Sequence, residues 1–277
     1  MKKYIERLVT YVLYGTPQVN VVASVSQLAP NERLKGKNIM VTGGGRGLGF
    51  YIAKKCVEEG AIVLITGRNE KLLGEASVKL GGCRYLKFDV GLAEDIPVLF
   101  HHAVEMLGGR IDCLVNNAGI SLHEGSFREV TVEGFEKQFN INLKGAYFLA
   151  QAFADHLEKK ESSDGNIVFI TSERGLYGDD IPYGLTKVAV NSLTRGLSRH
   201  LLPGNIRVNA VAPGVTASAM TGYSREGNLY REDSCGKRVF LPEEIAEVVV
   251  FLLSDVSQCI SGEVIACNQG NHLRCDV

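Results

Sequence analysis

Residues 41–49, Val-Thr-Gly-Gly-Gly-Arg-Gly-Leu-Gly, constrain this chain more than any other stretch, because a glycine-rich turn here joins an apolar run to a helical one. Residues 37–41 (KNIMV) read as a buried strand. Residues 50–59 carry Ile52, Ala53, Cys56 and Val57 at helical spacing. A strand that enters a helix through such a turn presents bare backbone N–H groups and the positive end of the helix dipole where no Cβ blocks a phosphate. That is a pyrophosphate site, built from Gly43, Gly45, Arg46, Gly47, Leu48 and Gly49. The spacing is neither G-x-G-x-x-G nor that of a P-loop, which needs a Lys absent here; it is T-G-x-x-x-G-x-G.

From Leu34 onward, strand-like and helix-like segments alternate, which argues for a parallel sheet covered on both faces, an α/β doubly wound fold. The strands are expected at residues 37–41, 61–66, 84–88, 111–115, 166–171, 205–212 and 262–267. A carboxylate at the end of the second strand would bond an adenosine ribose hydroxyl and repel a 2′-phosphate. Gly67-Arg68 stands there instead. With Arg46 nearby, two guanidinium groups suit a phosphate dianion, so NADP(H) is favoured over NAD(H). Asp89-Val90 ends the third strand, where the carboxylate either accepts a hydrogen bond from an adenine amino group or caps the next turn. Asn116-Asn117-Ala118-Gly119 ends the fourth with small residues and side-chain amides, as a ligand crevice needs.

The glycine turn, Asp89-Val90 and Asn116-Asn117-Ala118-Gly119, in this order, resemble the short-chain dehydrogenase/reductase family over nearly all of residues 36–270. The chain is similar to its single-domain Ser-Tyr-Lys-Asn members, such as 3-oxoacyl-(acyl carrier protein) reductases. The resemblance implies a Rossmann fold with a seven-stranded parallel sheet.

Ser172 follows the fifth strand, and Tyr183-Gly184-Leu185-Thr186-Lys187 opens a long helical segment just after Pro182. A spacing of four places Tyr183 and Lys187 on one helix face. Reducing a ketone creates an alkoxide, so a proton donor and a stabiliser of negative charge are needed. A phenol is a poor acid-base group near neutrality, and an adjacent ammonium is expected to lower its pKa. Ser172 would hydrogen-bond the substrate oxygen.

The resemblance assigns the same roles: Tyr183 as acid/base, Lys187 as pKa modulator and ribose ligand, Ser172 as substrate orienter. It adds Asn142, in Asn142-Leu143-Lys144-Gly145, as holder of a water in a proton relay. It also places Pro213, Gly214, Val215 and Thr216 over the nicotinamide, with the backbone of Val215 and Thr216 on the carboxamide. Asn117, Ala118 and Gly119 complete the cofactor set.

Residues 217–237 are polar and aperiodic, as a mobile substrate lid would be. The charges at Glu173 and Arg174 stand where small or apolar residues are common in the family and suggest an unusually polar cleft entrance. Together with Asp179, Asp180, Arg225, Arg231 and His123 they lean towards a polar or anionic substrate, such as a sugar derivative or an acyl thioester. A steroid or other ketone stays open.

Residues 1–35 read as an N-terminal extension, and residues 36–277 as a single catalytic domain. Within the extension, Ile5, Leu8, Val9, Val12 and Leu13 form an amphipathic helical stripe that suits packing on this chain or on a partner subunit. Its polar face is not rich in Lys or Arg, so membrane binding is not expected. With 30 Lys and Arg against 31 Asp and Glu, nothing favours nucleic acid. The odd, scattered seven cysteines carry no zinc or disulfide pattern, which points to a reduced cytoplasmic protein with no metal and with most cysteines in the core. A homodimer or homotetramer follows from the resemblance alone. Two other readings compete: a cofactor-binding scaffold or sensor that uses the N-terminal helix, against which the complete Ser-Tyr-Lys-Asn set argues, and nucleotide-sugar epimerisation, disfavoured by the glycine spacing and the short C-terminal region.

Overall fold

The computed structural model describes residues 29–159 and 164–273. The amphipathic segment at residues 1–15 lies outside them. Seven strands form one parallel sheet in the order β3-β2-β1-β4-β5-β6-β7: β1 (Asn38–Thr42), β2 (Ile62–Gly67), β3 (Arg84–Lys87), β4 (Cys113–Asn116), β5 (Gly165–Ile170), β6 (Ile206–Pro213) and β7 (Val264–Cys267). Each adjacent pair is parallel. The expected strands are all present, displaced at their ends by a residue or two, as hydrogen-bonded boundaries commonly are.

The alternation of side chains along each strand builds two cores. Met40, Leu64, Leu114, Ile167 and Phe169 point to one face, where they pack with α3 (Ile96–Met106), α5 (Ala146–Glu158) and α6 (Pro182–Leu201). Ile39, Val41, Val63, Ile65, Val115 and Val168 point to the other, against α1 (Gly47–Glu58), α2 (Glu70–Lys79) and α7 (Pro242–Leu253). Because both faces are covered, the central strands are apolar throughout rather than alternating. A further helix, α4 (Val132–Phe139), runs through a π-helical stretch, Asn140–Gly145, into α5.

The chain enters the core at Leu34, which is fully buried. Beside it Arg33 bridges Glu59 of the α1 end and Glu247 of α7 at 2.6 and 2.7 Å. Cys56 and Cys113 are buried, whereas Cys83 and Cys267 are half-buried and Cys235 and Cys259 exposed. The core reading of the cysteines therefore holds for only two of these six. Among the described residues no helix is long and apolar enough to cross a membrane.

β1 is the switch point. The chain winds outward from it through β2 to β3, then returns to place β4 on its other side, registered Ile39 to Cys113 and Val41 to Val115. The loops that follow β1 and β4 diverge to opposite faces and leave a crevice at the strand C-termini.

Candidate active site

A single cavity of about 980 Å³ occupies that crevice. Gly43, Gly45, Arg46, Gly47, Leu48, Gly49, Arg68, Asp89 and Val90 line one end. Asn117, Ala118, Gly119, Ser172, Tyr183, Lys187, Pro213, Gly214 and Thr216 line the rest. Tertiary structure thus brings residues spread over more than half the chain onto one space.

At the glycine turn, α1 begins with no side-chain cap and no acidic residue in its first turn, so its leading amides are left to a ligand. Gly47 has φ +55°, and an added Cβ there would meet nothing nearer than Ser218 Cβ at 3.9 Å, so the space in front of the turn is open. Gly49 is the opposite case. A Cβ there would strike the Gly43 carbonyl and the Asn117 amide, so glycine is what lets the helix approach β1 and β4. The open turn, the uncapped helix and a cavity of this size fit a dinucleotide.

Thr42 joins the turn to the end of β4. Its Oγ1 accepts from the backbone N–H of Asn117 and of Ala118, both at 2.9 Å, and its carbonyl accepts from Asn117 Nδ2 at 2.8 Å. Asn116 Nδ2 donates to Ala146 O at 2.9 Å. The Nδ2 groups of both amides are therefore engaged by the scaffold, while Asn117, Ala118 and Gly119 line the cavity. Asp89 lines the cavity, and its Oδ1 caps the turn by accepting from Gly91 N at 2.9 Å. Arg46 and Arg68 are exposed at the cavity edge, and among the described residues neither pairs with a carboxylate.

At the other end, Tyr183 and Lys187 sit on the first turns of α6. Lys187 Nζ donates to Ile170 O at 3.0 Å and lies 5.6 Å from the centre of the Tyr183 ring. Ser172 Oγ accepts from Arg174 N at 3.2 Å, which fixes the turn at residues 173–175. Asn142, in the π-helical stretch, uses both ends of its amide: Oδ1 accepts from Ile120 N at 2.8 Å, while Nδ2 donates to Ile120 O at 2.9 Å and to Thr186 Oγ1 at 3.2 Å. It ties the α4–α5 junction to the chain after β4 and to α6.

The expected lowering of the Tyr183 pKa by Lys187 is not what the packing gives. Although the ring is partly open to the cavity, burial around it pushes the phenol above its ordinary value; Ser172 and Arg174 pull it down, while Glu173 and Asp179 push it up. Lys187 is itself lowered by burial, to about 8. Its ammonium is directed to a strand-end carbonyl and lies beside the ring, so it does not offset the desolvation of the hydroxyl.

The remaining expectations fall on three segments. Val215 lines a small recess rather than the cavity, and its carbonyl accepts from Phe240 N at 2.9 Å, while Thr216 lines the cavity. Glu173 is turned inward, 7% exposed, and among the other loop charges Arg174 pairs with Asp179 at 2.5 and 2.7 Å, Arg225 with Glu243 at 2.6 Å and Arg231 with Asp233 at 2.6 Å, while Asp180 is exposed. None of these charged residues lines the cavity, whereas His123, with φ +58°, does. In the expected lid segment, bridges join Ser218 to Tyr223 and Tyr230 to Arg238, and this internal pairing satisfies part of the polar backbone. Its leading residues, Ser218 to Thr221, line the cavity without any period in the sequence to announce it.

Known proteins resemble this chain along most of its length. The family model described as enoyl-(acyl carrier protein) reductase matches residues 43–272. An L-fucose dehydrogenase from Bos taurus is 34% identical over 251 residues, which cover 86% of this chain and 90% of that protein. A crystal structure of a short chain dehydrogenase from Burkholderia cenocepacia J2315 in complex with NADP superposes with a TM-score of 0.77 at 29% identity, covering 86% of this chain and 99% of that one. A 3-ketoacyl-(acyl-carrier-protein) reductase from Brucella melitensis, complexed with NADH, gives 0.79 at 26% identity, with the same coverage of each chain.

Proposed function

The chain belongs to the short-chain dehydrogenase/reductase family, a family of oxidoreductases, and from that premise we propose that it is an NADPH-dependent reductase of a ketone to a secondary alcohol, with the reverse reaction open to it. The observation that carries this reading is the single cavity shared by an open glycine turn and the Ser172, Tyr183 and Lys187 side chains.

The nicotinamide, when bound, supplies the hydride. Tyr183 donates the proton to the carbonyl oxygen, and burial, by keeping the phenol protonated at neutral pH, suits it to the reductive direction. Ser172 donates a hydrogen bond to the same oxygen and polarises the carbonyl. Lys187, with a pKa of about 8, is mainly an ammonium at pH 7 and serves as a donor to a ribose and to the strand-end carbonyl. Asn142 holds the α4–α5 junction against α6; Nδ2 faces Thr186, from which a water relay towards Lys187 can start.

The two crystal structures differ in their dinucleotide, so the preference has to come from this chain's own residues. Arg46 and Arg68, unpaired at the cavity edge among the described residues, support NADP(H) through charge-assisted hydrogen bonds to a 2′-phosphate. A reduced cytoplasmic setting accords with the free cysteines. A homodimer or homotetramer accords with exposed Tyr147, Phe148, Leu185 and Val188 on α5 and α6. The test is a calorimetric titration with NADPH followed by absorbance assays against sugar, acyl thioester and steroid ketones. Absence of NADPH binding, or binding without turnover of any ketone, would overturn the proposal.

A further inference from the structure

Glu173 is buried one residue after the serine, a costly place for a carboxylate unless hydrogen bonds compensate it. They come from the far end of the chain. Its Oε2 accepts from Asn268 Nδ2 and from Asn271 Nδ2, each at 3.1 Å. The other end of the Asn271 amide is also occupied: Oδ1 accepts from the backbone N–H of Cys235 at 3.2 Å, at the base of the loop whose first residues line the cavity. Asn268 is 1% exposed, with Oδ1 held by Gly270 N at 3.2 Å and by His272 Nδ1 at 3.0 Å.

The same group of residues presses on the nicotinamide end of the cavity. A Cβ on Gly214 would stand 2.9 Å from the Asn268 Cβ and 2.8 Å from the Phe240 ring, so no slack separates this cluster from the Pro213-Gly214 turn. On its other side, Ser172 Oγ accepts from Arg174 N, the amide directly following Glu173, so a shift of Glu173 moves the serine hydroxyl. One carboxylate thereby couples three separate segments: the turn after β5, the chain after β7 and the loop after β6.

We propose that Glu173 is a positioning residue that, through Asn268 and Asn271, fixes the serine turn to the base of the 217–240 loop. Resting on the reductase reading, this assigns to Glu173 the constancy of the Ser172 hydroxyl relative to the Tyr183 phenol, with no contact between Glu173 and substrate. It also explains why glutamate is present at a position that the sequence alone suggested faces the cleft mouth.

The test uses the full chain in four forms: wild type, Glu173→Ala, Glu173→Gln and Asn271→Ala. Amide hydrogen exchange over residues 229–240 reads the coupling without catalysis, and steady-state kinetics on the best ketone read the positioning. Exchange at the loop base is expected to accelerate at least about tenfold in Glu173→Ala and in Asn271→Ala. Glu173→Ala is expected to lower kcat by about tenfold or more with the NADPH Kd within about twofold, and Glu173→Gln, which keeps an acceptor oxygen for both amides, to restore most of it. Unchanged exchange in Asn271→Ala and the Glu173 variants overturns the coupling, and an unchanged kcat in Glu173→Ala overturns the positioning role. If Glu173→Ala does not fold, Asn271→Ala and Glu173→Gln carry both readouts. A wild type that turns over no ketone ends the reductase reading, while the exchange data still decide the coupling.

Discussion

At the β1–β2 end of the crevice, Arg46 and Arg68 reach the cavity edge and pair with no carboxylate among the described residues; at the β5–β6 end, Arg174, Arg231 and Arg238 each hold one. The first end is made of backbone and space, an uncapped helix and a glycine with room before it. The second is braced, with Asp179, whose side chain is 1% exposed, receiving the Arg174 fork and the Ile181 N–H. The difference shows how each end does its work. On the proposed function, a site for a preformed phosphate group is left for the ligand to satisfy, whereas a site for proton transfer has to hold its groups to within a fraction of an ångström before the substrate arrives.

The sharpest break in this comparison is Tyr183→Phe. Ketone reduction is expected to fall by about 10³-fold or more, as loss of a general acid does, while NADPH titration still gives a near wild-type Kd because the open end is untouched. Equal turnover would place the proton elsewhere. Next in size is the Arg46→Ala, Arg68→Ala double variant, for which the ratio of NADPH to NADH affinity should drop by about 100-fold with kcat on saturating cofactor retained. An unaltered ratio would make both arginines ordinary surface charges.

Asp179→Ala probes the brace itself. It removes the partner of Arg174 and is expected to cost about 2 kcal/mol in urea unfolding and about tenfold in kcat, with cofactor affinity unchanged. A stability loss without a kcat loss would mean that the brace serves only the fold.

The smallest expected effect concerns Lys187. Burial lowers its pKa from 10.5 to about 8, so between these values the unfolded chain keeps a proton that the fold has shed, and stability rises with pH across that window. Above pH 10 the raised Tyr183 phenol works the other way, since the unfolded chain then ionises first. Thermal melts of the cofactor-free protein should therefore gain about 1–2 kcal/mol of stability between pH 7.5 and 9.5, and Lys187→Met should flatten that slope. A slope unchanged by the variant would locate the titrating group elsewhere.

The fold was legible because its signals are local. The apolar run at residues 61–66 forms the strand expected of it, the spacing of Ile52, Ala53 and Cys56 the expected helix, and the crevice follows once β4 returns beside β1. The membership of the cavity was legible too, since the glycine turn, Asn117 to Gly119 and Tyr183 with Lys187 all lie at strand or helix ends, where position along the chain fixes position in space. Illegible were the partners of polar groups. Asn117 lines the cavity as expected but also donates to the Thr42 carbonyl; Glu173 was expected at the cleft mouth and is held by two residues nearly a hundred positions away.

By itself the sequence determined the strand order's ingredients, the glycine turn between strand and helix and the four-residue spacing of phenol and amine, because backbone stereochemistry and side-chain periodicity act over a few residues. The tertiary structure alone decided which charges cancel, which amides are consumed by the scaffold and in which direction burial moves the Tyr183 and Lys187 protons. Those properties depend on distance and dielectric between segments remote in the chain, and they come into existence only when the sheet closes the two ends of the crevice together.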